Sequence, residues 1–101
     1  MQTQEFNQNL TELESRIKSI SKEFGWNLEN ENVETHELIF KTRPSWLSWG
    51  ESVKINLTQD KNKVGSVIVS VESNPEAQIF DWGKSRRNEE LLINKLKGVE
   101  Q

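Results

Sequence analysis

The apolar residues near the start of the chain follow a helical spacing that stops at a glycine. Six of them recur at alternating intervals of four and three residues: Phe6, Leu10, Leu13, Ile17, Ile20 and Phe24. This spacing places them on one stripe of an amphipathic helix. We therefore predict a helix over residues 8–24, with Asn7 as its N-cap and Gly25 as its left-handed C-cap. The stripe spans fewer than three heptads, which favours a helix packed on a sheet over a coiled coil.

Beyond Gly25, apolar residues alternate with polar ones, which is the pattern of half-buried β-strands. Four segments show this alternation: residues 26–30, 36–41, 52–58 and 66–72. A weaker signal predicts a short edge strand over residues 2–6. Polar residues at 30–32 and 59–63 predict turns, and the second turn joins the last two strands in an antiparallel hairpin. We expect residues 73–75 to end the last strand.

A second helix is predicted over residues 84–97. Leu92 and Leu96 lie four residues apart, and Gly98 follows as a stop signal. Residues 1–101 are therefore expected to form one α+β domain, with an antiparallel sheet of four to five strands and two helices on one face, in the order β-α-β-β-β-β-α. This order resembles the TATA-box-binding-protein-like topology and, more loosely, the helix-grip folds. Such an analogy of topology implies no function.

Composition excludes several kinds of chemistry. The chain has no cysteine and one histidine, which excludes disulfides, a thiol nucleophile, cysteine-containing zinc sites and multi-histidine metal sites. We expect no metal and no cofactor. Apolar runs reach only three residues, and Met1–Asn9 lacks the features of a secretory signal. The sequence thus predicts a cytoplasmic protein without a membrane span.

The charge balance disfavours nucleic acid as a partner. The net charge is −3 and the sequence pI is about 5.2, whereas phosphate-binding surfaces are basic. The one local basic cluster comprises Lys84, Arg86 and Arg87. We interpret it as the solvated start of the last helix. The alternative is single-stranded nucleic-acid binding, with bases stacked on nearby tryptophans.

Two tryptophan-glycine segments, residues 43–51 and 79–85, hold the most unusual residues of the chain. The candidate ligand or partner contacts in them are Arg43, Trp46, Trp49, Glu51, Trp82 and Lys84. Tryptophan is a frequent binding anchor, and the two basic side chains are suited to holding an anion. If both segments lie at the same end of the sheet, they form a pocket or a partner-binding face. Alternatively, the tryptophans cover the open end of a small core.

The other candidate residues each have a structural and a functional interpretation. Asp81 or Ser85 is suited to cap the last helix. Asp81 could instead pair with Glu51 as an acid–base couple, but nothing else catalytic accompanies them. His36 alternates with apolar strand residues, and a lone histidine there is more often a hydrogen-bonded structural residue than a catalytic one.

The same motifs resemble those of a family of small uncharacterised bacterial proteins. In that family an SWGE stretch, here residues 48–51, is followed by a DWGKN-x-x-N stretch, here residues 81–88, which opens the last helix. The resemblance covers about residues 3–97 and departs at Ser85, where the family has asparagine. It implies an α+β domain of unknown function without catalytic residues. The sequence therefore predicts a non-enzymatic module that binds a protein or a small amphiphile. The alternatives are an acid–base enzyme using Glu51 and Asp81, and single-stranded nucleic-acid binding.

Overall fold

The computed structural model describes residues 2–42, 50–75 and 84–98, and the side chains of 74, 75 and 84–87 lie outside that description. The elements are β1 (Gln2–Phe6), α1 (Leu10–Phe24), β2 (Asn27–Asn32), β3 (Glu37–Lys41), β4 (Glu51–Gln59), β5 (Val67–Pro75) and α2 (Lys84–Leu96). The predicted element order and the α+β class are confirmed. In the described ranges no helix is both long and apolar enough to cross a membrane.

The strands form one antiparallel sheet in the order β1-β5-β4-β3-β2. The predicted hairpin is the centre of this sheet, with β4 and β5 paired over nine residues each. The weakly predicted strand β1 pairs with β5, not with its neighbour in sequence. As a result, the start of the chain and β2 form opposite edges of the sheet.

A single core lies between the sheet and the helices. Cross-strand partners share one face of a sheet, and the partners Leu38, Ile55 and Val71 are all buried. The core residues are Phe6, Leu10, Leu13, Ile17, Ile20, Trp26, Leu38, Phe40, Val53, Ile55, Leu57, Val67, Val69, Val71, Leu92, Ile93 and Leu96. Both helices therefore pack on the same face, as predicted, and the opposite face carries polar residues such as Lys54 and Glu72.

Helix α1 begins later than predicted. Its N-cap is Asn9, whose Oδ1 accepts hydrogen bonds from the backbone N–H groups of Thr11 (2.8 Å) and Glu12 (3.3 Å). The prediction of Asn7 was wrong because Phe6 still belongs to β1, opposite Val67, and the chain needs the following residues to turn onto the sheet. The C-terminal prediction is confirmed, since Gly25 has φ 82°.

The connection between β2 and β3 also differs from the prediction. Strand β2 continues to Asn32, through a register shift between Leu28 and Asn30, so residues 30–32 are not a turn. The turn follows it, and the Asn32 side chain accepts hydrogen bonds from two backbone N–H groups there. His36 lies in this turn with φ 55°, not on a strand. Its Nδ1 lies 2.9 Å from Oε1 of Glu14 on α1, consistent with a hydrogen-bonded structural role.

The C-terminal part of the fold brings two further corrections and one confirmation. Strand β5 continues through residues 73–75, because Pro75 still lies opposite the first residue of β4. Ser85 lies inside α2 and not before it, so it is not the cap, and Asp81 lies outside the described residues. Gly98 stops the helix as predicted, with φ 81° and its N–H donating to the carbonyl of Lys95.

Candidate functional site

The described residues that precede each tryptophan-glycine segment lie at the same end of the sheet. Thr42 at the end of β3 donates its N–H to the carbonyl of Glu51 at the start of β4 (2.9 Å). Glu51 in turn lies opposite Pro75 at the end of β5. Thr42, Glu51 and Pro75 therefore all lie at one end of the sheet. Residues 43–49 and 76–83 lie outside the described residues, so the shared surface of the two segments stays a prediction.

The structure describes one of the six predicted contact residues in full. Arg43, Trp46, Trp49 and Trp82 lie outside the described residues, and of Lys84 only the backbone is described, as the first residue of α2. Their roles stay predictions. The fourth tryptophan, Trp26, is 8% exposed and packs against Phe24 and Phe40 in the core, with ring centroids 5.1 and 6.4 Å away.

Glu51 is the described member of that set, and its carboxylate is buried and hydrogen-bonded. The residue is 4% exposed. Its Oε2 accepts a hydrogen bond from the Ser73 hydroxyl (2.7 Å) and another from Nδ2 of Asn88 (2.6 Å). Ser73 belongs to β5 and Asn88 to α2, so one carboxylate oxygen joins three elements. Hydrogen bonds to an ionised acceptor are among the stronger ones in proteins.

Thr42 ends the ladder between β3 and β4. In an antiparallel ladder the backbone N–H of Glu51 pairs with the carbonyl of Thr42. Here that N–H donates to Oγ1 of Thr42 instead (2.8 Å), and Thr42 is 8% exposed. The threonine side chain thus replaces its own carbonyl as the acceptor in the last described pair of the two strands.

A second buried carboxylate, that of Glu89, accepts a backbone hydrogen bond from β5 on the side of the strand that faces β1. Strand β1 pairs with β5 only as far as Val71, so the N–H of Ser73 lies past the last β1 partner. Oε2 of Glu89 accepts that N–H at 2.9 Å, and Glu89 is 4% exposed. Ser73 therefore donates to both carboxylates, through its hydroxyl to Glu51 and through its backbone to Glu89.

We call Thr42, Glu51, Ser73, Asn88 and Glu89 the sheet-end network. The sequence motifs include Glu51 and Asn88, whereas the buried positions of Thr42, Ser73 and Glu89 were not predicted. A signal for them was present in the spacing. Thr42, Glu51 and Ser73 continue the alternation of core residues on their strands, and Glu89 precedes Leu92 by three residues on the buried stripe of α2. A polar residue at a core-facing position of a strand or helix indicates a buried polar contact.

The network joins β4, β5 and α2 through hydrogen bonds to one carboxylate oxygen. Oε2 of Glu51 accepts two hydrogen bonds from neutral donors, which fixes the side chain in one orientation. Across residues 2–42, 50–75 and 84–98, no group of three or more His, Cys, Asp and Glu side chains is placed to hold a metal ion. The described part of the site is therefore a buried, hydrogen-bonded polar cluster at one end of the sheet.

No protein-family model matches the chain, and no curated protein matches it either. The resemblance to the bacterial family with paired SWGE and DWGKN-x-x-N motifs thus stays a prediction.

Proposed function

We propose that the protein is a cytoplasmic, non-enzymatic binding module that takes a small amphiphile at the sheet end where the two tryptophan-glycine segments attach. Trp46, Trp49 and Trp82 would contact the apolar part of the ligand, and Arg43 and Lys84 an anionic group. The observation that carries the proposal is the Glu51 carboxylate, which joins β4, β5 and α2 at this end of the sheet. A partner protein at the same surface is the alternative occupant.

A rigid scaffold that carries two loop segments favours a binding role. Binding residues are concentrated on loops that a rigid scaffold positions. The sheet-end network supplies such a scaffold, because its hydrogen bonds of 2.6 to 2.9 Å cross between elements and its members on the strands are buried. Tryptophan buries a large apolar area in two rotatable bonds, which favours its use as an anchor. Ligand sites are lined mainly by apolar and aromatic side chains with a few placed polar groups, and the two segments together supply both kinds of side chain.

Tryptophan emission tests this proposal directly. Dodecanoate, an anionic single-chain amphiphile, is titrated below its micelle concentration, with dodecyltrimethylammonium as the cationic control of equal chain length. We expect dodecanoate to shift the emission, and the shift to shrink in Trp46→Phe, Trp49→Phe or Trp82→Phe. Trp26→Phe is the matched control, because Trp26 is buried in the core, and it should leave the dodecanoate affinity unchanged.

The charge contribution has its own variant. Arg43→Gln should weaken dodecanoate binding without altering the emission of the free protein. Equal affinity for the anionic and cationic amphiphiles would contradict a role for Arg43 and Lys84. Absence of any shift with either amphiphile would contradict amphiphile binding, and titration with candidate proteins would then examine the alternative occupant.

A second candidate function is acid–base catalysis by the predicted pair Glu51 and Asp81. The observation that favours it is the buried Glu51 carboxylate, whose orientation two hydrogen bonds fix. The predicted pairing of Glu51 with Asp81 requires their carboxyl groups to lie within about 10 Å, the outer range of paired-carboxylate chemistry. A crystal structure that places them farther apart would remove this candidate.

A further inference from the structure

The two edges of the sheet differ in how they are protected from pairing with another strand. Edge strand β2 carries a register shift beside Glu29 and exposes two acidic side chains, Glu29 and Glu31. Bulges and charges of this kind discourage edge-to-edge pairing. Edge strand β1 pairs with β5 in an uninterrupted register from Gln2 to Phe6. Its edge therefore lacks the distortion that β2 has.

The hydrogen-bond pattern of the sheet identifies the backbone groups that β1 presents outward. Asp60 donates its N–H to the carbonyl of Ser66 (2.9 Å), which makes them a hydrogen-bonded pair at the end of the β4–β5 ladder. Because such pairs alternate along a ladder, even-numbered residues of β5 bond to β4 and odd-numbered ones bond to β1. The β1 partners of those odd-numbered residues are Gln2, Gln4 and Phe6. Thr3 and Glu5 therefore point their N–H and C=O groups away from the sheet.

The charge on this edge is already balanced. Oε1 of Glu5, the one ionisable side chain of β1, lies 3.3 Å from Nζ of Lys63. The outward carbonyl of Glu5 accepts an exposed hydrogen bond of 3.3 Å from Nε2 of Gln4, which an incoming strand can replace. The edge is thus flat and close to neutral, with backbone donors and acceptors in place.

We propose that β1 pairs with β1 of a second copy of this chain, antiparallel and with Gln4 opposite Gln4. In this register Thr3 of each copy lies opposite Glu5 of the other copy. The outward N–H and C=O groups of these two residues therefore form hydrogen bonds with each other, in one pair on each side of the symmetry axis. A register centred on Glu5 brings two like charges together, and one centred on Thr3 leaves Glu5 opposite residue 1, outside β1. The result is a symmetric dimer with a continuous ten-stranded sheet.

The oligomeric state of the full chain tests the proposal. Sedimentation equilibrium from 10 µM to 1 mM should show the mass rising from 11.8 kDa towards twice that value. Thr3→Pro removes one outward N–H and leaves the bonds of Gln2, Gln4 and Phe6 to β5 in place, so it should weaken dimerisation at least tenfold. Thr3→Val keeps the N–H and is the matched control, which should dimerise as the wild type does.

Amide hydrogen exchange of the wild-type chain supplies a readout that does not depend on the folding of a variant. The amides of Thr3 and Glu5 should exchange at least tenfold more slowly at 1 mM than at 10 µM, while the amide of Gln4, already bonded to β5, should change little. A chain that stays at 11.8 kDa at 1 mM, or Thr3 and Glu5 amides whose exchange is independent of concentration, would overturn the proposal. The result is independent of the ligand-binding proposal.

Discussion

We expect the loss of the Ser73 hydroxyl to destabilise the protein strongly, although the substitution removes only one oxygen atom. Ser73 is 6% exposed, and its Oγ donates at 2.7 Å to the buried carboxylate of Glu51. A hydrogen bond to a charged group contributes about 1.5–3 kcal/mol, and a buried acceptor that loses a donor carries the desolvation cost. We therefore expect Ser73→Ala to lower the free energy of unfolding by about 2 kcal/mol. In a domain of about 100 residues this corresponds to a fall in Tm of roughly 8–16 °C.

Urea unfolding followed by far-UV circular dichroism measures this effect. The midpoint should fall while the denaturant slope stays constant, which indicates a change in stability and not in the unfolded state. Ser70→Ala is the matched control, because Ser70 lies on the same strand with its side chain on the opposite face, and it should change stability by less than about 0.5 kcal/mol. If Ser73→Ala costs no more than Ser70→Ala, the sheet-end network does not stabilise the fold.

A double-mutant cycle tests whether the donors to Glu51 act as a unit. Ser73 and Asn88 donate to the same oxygen, Oε2. Residues in one hydrogen-bond network show coupling energies of about 0.5–3 kcal/mol, so Ser73→Ala and Asn88→Ala should not be additive. Additive effects within measurement error would contradict a shared role.

Three further predictions concern the stability of the fold and are measured by the same urea unfolding. Ser21 is fully buried and its Oγ has no hydrogen-bond partner among the described residues, so Ser21→Ala should leave stability unchanged or raise it by about 1 kcal/mol; a loss of more than about 1 kcal/mol would show that the hydroxyl stabilises the fold. His36 has φ 55°, so His36→Val should cost about 1–2 kcal/mol more than His36→Asn, because asparagine tolerates the left-handed region and a β-branched residue does not. Leu92 is fully buried, so Leu92→Ala should lower the free energy of unfolding by about 2–5 kcal/mol. Leu91 is half-buried, so Leu91→Ala should lower it clearly less. Equal losses for the two variants would contradict the assignment of Leu92 to the buried face of α2.

The periodic parts of the fold were predictable because their apolar residues face a single core. The structure confirms the stripe of α1 from Leu10 to Phe24 and the alternation in β4 and β5, whereas Phe6, the first residue of the predicted stripe, belongs to β1. Gly25 and Gly98 were also predictable, since a left-handed helix end strongly favours glycine.

The errors fall where local signals compete. Asn7 and Asn9 are both suitable caps by residue type, and the choice of Asn9 depends on Phe6 remaining in the sheet, which is a tertiary effect. His36 continues the strand alternation in the sequence, but the turn after β2 needs a residue at positive φ, and the bond to Glu14 holds it there. Neither constraint is visible in residue spacing alone.

The position of the sheet-end network follows from the unequal lengths of the strands. Strand β5 extends beyond the end of β1, and β4 begins where β3 ends, so each boundary leaves a backbone N–H that needs an acceptor in a buried place. Side-chain oxygens of Thr42 and Glu89 supply those acceptors. The first tryptophan-glycine segment adjoins the boundary between β3 and β4 at Thr42. Where strands differ in length, a buried polar side chain completes the backbone hydrogen bonds, and Glu89 does this for Ser73. Glu51, the candidate site residue at the same end of the sheet, instead joins β4, β5 and α2 through Ser73 and Asn88, so its buried carboxylate has a structural role whether or not it contacts a ligand.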